Sequence, residues 1–350
     1  MQGRKQSAFW GSFLSLLSVI YGAAINLRRI FYGLHIIKAK GLPCPVISIG
    51  NITLGGTGKT PAVIQIAGFL SRAGIAPVIV SRGYARKHED DIVVVSDGNS
   101  VLVDPKMGGD EPVLIASKIT GVPVVVGKKK YAAAVLAIGQ FNPDVVLLDD
   151  GFQHRQLKRD IDIVLVDAGA PFGNGRLFPK GILREPIAAL KRAHAVLITR
   201  VDSIEEVNTL KSFIQRHTNA RIFTSCQVPV DLIDYRSGDV KPLSSLRGAR
   251  VLALAGIARP ASFFTLLQTL EANVAATCTY PDHFDYQKSD LAAVFQQGAD
   301  AQVQMIVTTE KDAVRIKSMH ADGIWALRIE LAVHERDEWE RFILKGLGHA

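Results

Sequence analysis

Cysteine is scarce in this chain, with three among 350 residues: Cys44, Cys226 and Cys278. They lie far apart, with no Cys-x-x-Cys pair and no histidine cluster at zinc-ligand spacing, which argues against a disulfide framework and a structural zinc site. A reducing cytosol fits this usage, and all three read as small buried residues. Internal repeats of about 20 to 50 residues and low-complexity tracts are also missing, so a solenoid or array is not expected. Aromatic residues make up 7% of the chain and do not interleave with the basic ones, which leaves nucleic-acid binding without a stacking motif. Charged residues amount to 21% against 48% hydrophobic. That balance excludes disorder, and the length suffices for two domains, each with its own core. A net charge of +8 favours an anionic partner such as a nucleotide or acidic lipid.

One long uncharged stretch is present at the start. The 22 residues between Lys5 and Arg28 carry no charge, and Arg28 and Arg29 follow at once. Ser12, Ser15, Gly22 and Asn26 fall near one helical stripe, while Phe9, Phe13, Leu16, Leu17 and Ile20 fall mostly on the other. The stretch is long enough to span a bilayer, but the amphipathic pattern predicts a helix lying in the interface. Basic residues after it, through Lys38 and Lys40, replace the small-residue cleavage site of a secretory signal.

After residue 43 short apolar runs alternate with helical patterns. PVISIG, APVIVS, VPVVVG, DVVLLDD, IDIVLVD and HAVLITR read as buried strands. Between them AVIQIAGFLSRAG, YAAAVLAIGQ and SIEEVNTLKSFIQRH read as helices. The pattern predicts a parallel sheet covered by helices, with ligands at the carboxyl ends of its strands. Around 224–248 the pattern loosens into turn-rich sequence, which marks a boundary. A second α/β unit follows, with strands in ARVLALAG and VQMIVTTEKD and a helix in ASFFTLLQTLEA. The last segment, HERDEWERFILKGL, predicts a helix whose packing partner the sequence leaves open.

The segment PVISIGNITLGGTGKTPAVIQIAGFL orders a strand, a glycine-rich turn and a helix as a Walker A phosphate loop requires. Gly55, Gly56 and Gly58 free backbone N–H groups to turn toward phosphate, Lys59 supplies a cation, and Thr60 can ligate Mg²⁺. Thr53 stands where the motif has its first glycine, so Gly55 and Gly56 are expected to give the turn its freedom, with Thr57 completing the loop. A phosphate loop needs a metal-holding acid on a neighbouring strand, and DVVLLDD supplies Asp149 and Asp150 at its end. In GGDEP, Asp110 and Glu111 precede a helix, where they read either as a cap or as a base. His283, between turn residues and aromatics in YPDHFDY, reads either as structural or as functional. Thr309, Glu310, Lys311 and Asp312 occupy a strand-end loop that serves a ligand or caps the next helix.

Together these segments resemble the tetraacyldisaccharide 4'-kinase family, the lipid A 4'-kinases of Gram-negative bacteria. The resemblance runs through GNITLGGTGKTP, SRGYAR, GDEPVLIA, DDGFQH, FGNGRLFPKGILREP, LALAGIARP, PDHFDY and TEKDAVR, in that order. It implies a P-loop (RecA-like) parallel-sheet domain and a second, smaller α/β domain joined by a two-stranded linker, with the active site between them. It also implies ATP and Mg²⁺ as cofactors and a lipid A disaccharide precursor as acceptor, at the cytoplasmic face of the inner membrane. Asp110 and His283 would be the acid–base pair, and Asp149 and Asp150 would lie in the metal region. Arg82, Tyr84, Glu111, Gln153, His154, Arg184 and Glu185 would line the cleft. After the strand at 122–126 the family tends to carry an Arg, and here the chain reads Lys128, Lys129, Lys130; Lys130 lacks the bidentate fork of an arginine. The expected division is 1–40 for the membrane-associated helix region, 41–225 for the kinase domain and 226–350 for the smaller domain.

Two rivals are a membrane-associated GTPase and an ATPase switch. TRVD at 199–202 loosely resembles the guanine-reading motif, with Arg200 where Lys is expected and Asp202 on the base. Related ATPase loops carry a Lys before the glycine pair, and this chain has Leu54.

Overall fold

A computed structural model describes residues 2–34, 36–84, 86, 88, 90–201, 204–319 and 322–348, with side chains from residue 12 onward apart from 204–206 and 318. Helix α1 (Gln2–Gly33) leads in, followed by β1 (Val46–Asn51), α2 (Lys59–Arg72), β2 (Pro77–Ser81) and β3 (Val93–Ser96). Next come α3 (Pro105–Gly108), α4 (Asp110–Lys118), β4 (Val124–Val126), α5 (Lys130–Phe141), β5 (Val145–Asp149), β6 (Ile161–Asp167), β7 (Ala195–Thr199) and α6 (Ile204–Gln215). Strand β8 (Arg221–Ile233) is followed by β9 (Val240–Pro242), β10 (Arg250–Ala255), α7 (Pro260–Thr269), β11 (Asn273–Thr279) and α8 (Lys288–Asp300). The chain ends with β12 (Met305–Thr309), α9 (Glu310–Ile316), β13 (Ile324–Val333) and α10 (Arg336–Gly346).

The strands join one sheet in the order β11-β10-β12-β13-β8-β7-β6-β1-β5-β2-β4-β3, with β9 on β8. Pairings are parallel except β8 with β13, β8 with β9, and β3 with β4. The expected runs form strands because they are buried on both faces. Ile47 and Ile49 pack with Ala62, Val63, Ile66 and Leu70 of α2. Val46, Val146 and Leu148 pack on the opposite face with Ala133, Ala134 and Ala137 of α5, whose small side chains let that helix sit close.

Strand β8 ties the halves of the sheet together. Its first residues pair in parallel with β7, and from Ser225 onward it runs antiparallel to β13. The loosened segment at 224–248 therefore begins as extended strand. Pro229, which has no N–H to donate, falls where the β13 register shifts between Arg328 and Ile329, and a proline is tolerated at such an irregularity.

Helix α10 returns to the first half. Trp339 and Ile343 are buried there, the Trp339 ring lies 5.0 Å from Phe223, and its Nε1 donates to Gln65 Oε1 at 3.1 Å. Cys278 is buried as expected, but Cys44 and Cys226 are half-buried. Cys44 sits at the rim of the core just before β1, and Cys226 lies where the pairing of β8 has passed from β7 to β13.

Helix α1 inverts the usual arrangement of a surface helix. Its polar stripe faces the protein: Ser18 Oγ donates to Leu177 O (2.9 Å), Tyr21 Oη donates to Arg184 O (3.0 Å), Lys180 bonds Ser15, and Gly22 packs against Leu177. Its apolar side faces outward, with Leu16 59%, Val19 68% and Ile20 56% exposed.

Candidate active site

The loop after β1 is braced from three directions. Leu54 N donates to Ile182 O (2.7 Å), Asn51 Nδ2 to Thr57 Oγ1 (3.0 Å), and Thr199 Oγ1 to Thr57 O (2.9 Å). Thr53 is buried and bridges Leu183. Of the expected glycine pair, Gly55 takes a positive φ of 104° and Gly56 does not, and the second such position is Gly58 at 85°. Those two residues supply the conformational freedom that Thr53 lacks. Helix α2 starts at Lys59, and Thr60 is buried in its first turn.

Beside this loop, Asp149 and Asp150 diverge. Asp150 has φ 50° and lies 3.7 Å from Lys59 Nζ. Arg184 donates to its two oxygens at 2.9 to 3.1 Å. Burial would raise its pKa, but Lys59 and Arg184 outweigh burial and hold it well below the usual carboxylate range. Asp149 is buried at the end of β5. Its Oδ2 accepts from Ser81 Oγ at 2.8 Å, whereas Oδ1 is buried with no hydrogen-bond partner. Burial, then the negative charge of Glu111, push its carboxyl up to about 6. Lys130 is buried behind the pair and donates to the backbone oxygens of Asp149 and Asp150, the latter at 2.7 Å. Its ammonium is spent on this turn rather than aimed at a phosphate, and burial lowers its pKa.

Asp110 opens α4, yet its carboxylate does not cap that helix. Oδ2 meets His283 Nδ1 at 3.1 Å and Arg315 Nε at 2.8 Å. Burial raises the pKa of Asp110, but these two contacts outweigh it and the net shift is downward; the same hydrogen bond raises that of His283. The close approach depends on glycine. A Cβ on Gly109 would lie 3.1 Å from Gly83 Cα, and one on Gly83 would lie 3.0 Å from Gly108 O. The bare backbones thus seat the SRGY segment against the start of α4. There Arg82 is exposed, and Tyr84 places its ring 6.4 Å from His283.

The remaining expected residues divide. Glu111 pairs with Lys311 at 2.6 Å, and Arg184 joins the Asp150 cluster. Gln153 Nε2 donates to Asn51 O at 2.7 Å. His154 Nε2 is buried without a partner, and burial, then Lys130 and nearby arginines, drop the ring's pKa to about 4, so it is neutral at pH 7. Glu185 is buried, and Arg192 Nη1 and Nη2 donate to its carboxylate at 2.7 and 3.1 Å. Thr309 caps α9: its Oγ1 accepts from Asp312 N at 3.3 Å. Asp312, of the strand-end loop, holds Arg315, and Arg315, Asn51 and Ser81 are site residues that the sequence reading does not single out. The i,i+3 spacing of Asp312 and Arg315 within TEKDAVR was the available signal.

The TRVD segment is occupied structurally. Thr199 braces the phosphate loop and Arg200 pairs with Asp167 at 2.6 Å. Asp202 lies outside the described residues.

The family profile described as tetraacyldisaccharide-1-P 4'-kinase matches residues 10–348. The chain belongs to this family. A tetraacyldisaccharide 4'-kinase of Syntrophus aciditrophicus is 40% identical, over 98% of this chain and 94% of its own length. One from Halothermothrix orenii is 39% identical over 91% and 88%. The crystal structure of LpxK from Aquifex aeolicus in complex with ATP matches with a TM-score of 0.80 and 29% identity, covering 97% of this chain and 99% of that one. The GTPase and ATPase-switch readings give way to an ATP-dependent kinase of the tetraacyldisaccharide 4'-kinase family.

Proposed function

We propose that this chain transfers the γ-phosphoryl group of ATP to the 4'-hydroxyl of a tetraacyldisaccharide 1-phosphate, working at a membrane surface. The observation that carries the reading is the contact of Asp110 with His283 beside a braced phosphate loop, in a chain of this family. Backbone amides of residues 55–60, the N-terminus of α2 and Lys59 grip the triphosphate. The acceptor oxygen attacks the γ-phosphorus as the bond to the departing ADP oxygen breaks. Asp110 accepts the hydroxyl proton, and His283 orients Asp110 and shares the charge. The two come from different halves of the sheet yet already meet at 3.1 Å without substrate, so closure over the acceptor is not needed to assemble them and serves instead to exclude water.

Mg²⁺ fits the residues present. Asp149 Oδ1 is a buried carboxylate oxygen without a partner, and Thr60 offers a hydroxyl in the first turn of α2. Among the described residues no cluster of three or more His, Cys, Asp or Glu forms a protein cage, which suits a cation that takes most of its ligands from phosphate and water. When bound, it would neutralise charge on the β- and γ-phosphates. Asp150, already engaged by Lys59 and Arg184, serves that role less well than Asp149.

The acyl chains require a lipid surface. The outward apolar side of α1, with Arg28 and Arg29 near its C-terminal end, supports a helix lying in the interface of an anionic membrane, the cytoplasmic face of the inner membrane in this reading. The division at residues 40 and 225 remains part of this proposal.

The test is incubation with γ-labelled ATP and a tetraacyldisaccharide 1-phosphate in detergent or vesicles. Label is expected at the 4' position, dependent on acceptor. Hydrolysis at the same rate with and without acceptor would overturn the reading.

A further inference from the structure

Three ion pairs run between α4 and α9: Asp110 with Arg315, Glu111 with Lys311 and Lys118 with Glu310. Two of them are ordinary cross-helix pairs. The Arg315 pair differs, because its guanidinium also reaches the partner of Asp110: Nη2 lies 3.2 Å from His283 Nδ1 while Nε lies 2.8 Å from Asp110 Oδ2. One planar fork therefore touches both members of the proposed acid–base pair.

Arg315 is itself rigidly held. Its side chain is 6% exposed, and Nη1 donates to Gly256 O (3.1 Å) and Asp312 Oδ1 (3.2 Å). Asp312 is 0% exposed and accepts from Gly256 N (3.0 Å), Thr309 Oγ1 (2.7 Å) and Tyr286 Oη (3.1 Å). A buried charge with this many donors is a fixed point rather than a surface pair. The chain Tyr286–Asp312–Arg315 thus carries the position of the second half of the molecule to a carboxylate of the first.

We propose that Arg315 is the positioning residue of the catalytic pair, fixing Asp110 through Oδ2 and leaving Oδ1 to meet the acceptor hydroxyl. The proposal rests on the reading of Asp110 as the base. Both observed contacts fall on Oδ2, so that oxygen is spent on orientation. The charge of Arg315 also favours the carboxylate over the acid at Asp110. The charged groups acting on the pair are Arg315 from α9, with Asp312 behind it, Asp282 beside His283, and Glu111 of α4, which is itself paired with Lys311 and faces Lys59. Among the contacts of Asp110, the guanidinium is the cation whose charge pH does not alter.

The experiment measures kcat, KM for ATP and the pH profile of kcat/KM with the labelled-ATP assay for Arg315→Gln and Arg315→Lys, alongside Asp110→Asn as control. Arg315→Gln is expected to lower kcat roughly 10- to 100-fold and to move the acid limb to higher pH, because Asp110 then protonates more readily. KM for ATP should stay within about twofold. Arg315→Lys keeps the charge without the fork, so the acid limb should return toward that of the native enzyme while kcat stays reduced. If Arg315→Gln fails to fold, Arg315→Lys decides, and native kcat in that variant overturns the proposal. So does a parallel loss of kcat, ATP affinity and thermal midpoint, which marks a purely structural role. Full turnover in Asp110→Asn would instead remove the base itself. An inactive Asp110→Asn beside a fully active Arg315→Gln would remove this inference alone.

Discussion

Asp110 and His283 are 173 positions apart and meet at 3.1 Å, and their roles make a direct prediction. Asp110→Ala and His283→Ala should each lower kcat by roughly 10²-fold or more with nucleotide affinity nearly unmoved, measured as steady-state kinetics beside ATP binding. Native turnover in both variants would exclude the pair. His154 shows the opposite use of a titratable ring. Its pKa falls from 6.5 in the unfolded chain to about 4, so as pH drops from 6.5 toward 4 the unfolded state takes up a proton that the folded state refuses. Stability contributed by the neutral ring is thus present above pH 6.5 and lost on acidification. Denaturant midpoints measured across this window should fall less steeply in His154→Gln than in the native protein, and identical slopes would refute the assignment. Asp149 carries a further cost, since its raised pKa shows that burial opposes its charge. Asp149→Asn is expected to abolish most activity yet to leave the free protein at pH 8 more stable by on the order of 1 kcal/mol, read from urea unfolding.

At the scale of elements, α1 is covered on its polar side and exposed on its apolar one. In α1 the serines, Tyr21 and Gly22 dock on the 177–184 segment while Leu16, Val19 and Ile20 point outward. A helix designed for water would reverse this. Deleting residues 1–27 should therefore release the protein into the soluble fraction. Replacing Val19 and Ile20 together by Glu should weaken sedimentation with anionic vesicles by at least roughly tenfold, because each apolar side chain contributes about 1.5–3 kcal/mol on burial. Unchanged vesicle binding would mean that another surface anchors the chain. Strand β8 reads poorly in sequence because Pro229 and alternating half-burial break the continuous apolar run that marks β1 or β5. Its regularity comes from pairing with β13, a strand about 100 residues away, and no local window contains that partner.

Across the whole molecule, α10 follows the last strand of the second half but buries Trp339 and Ile343 in the core of the first. The two halves of the sheet are thereby linked by β8, by the α4–α9 ion pairs and by this returning helix. Trp339→Ala should cost about 3–5 kcal/mol, seen as a lower urea midpoint by circular dichroism, and should destabilise the phosphate-loop half although the substitution lies near the C-terminus. A change confined to the second half would contradict this packing. The sequence by itself determined the parallel sheet, the phosphate loop, the strand-end acids and the family, because apolar runs, glycine positions and ordered motifs are local properties of the chain. Tertiary structure alone decided that Asp149 keeps a free buried oxygen while Asp150 is tied to Lys59 and Arg184, that Lys130 donates to the Asp149–Asp150 turn and Arg192 to Glu185, and that Arg315 reaches Asp110. Those assignments depend on burial and on charges brought from distant segments, and electrostatic environment is a property of three-dimensional neighbours that adjacency in sequence does not encode.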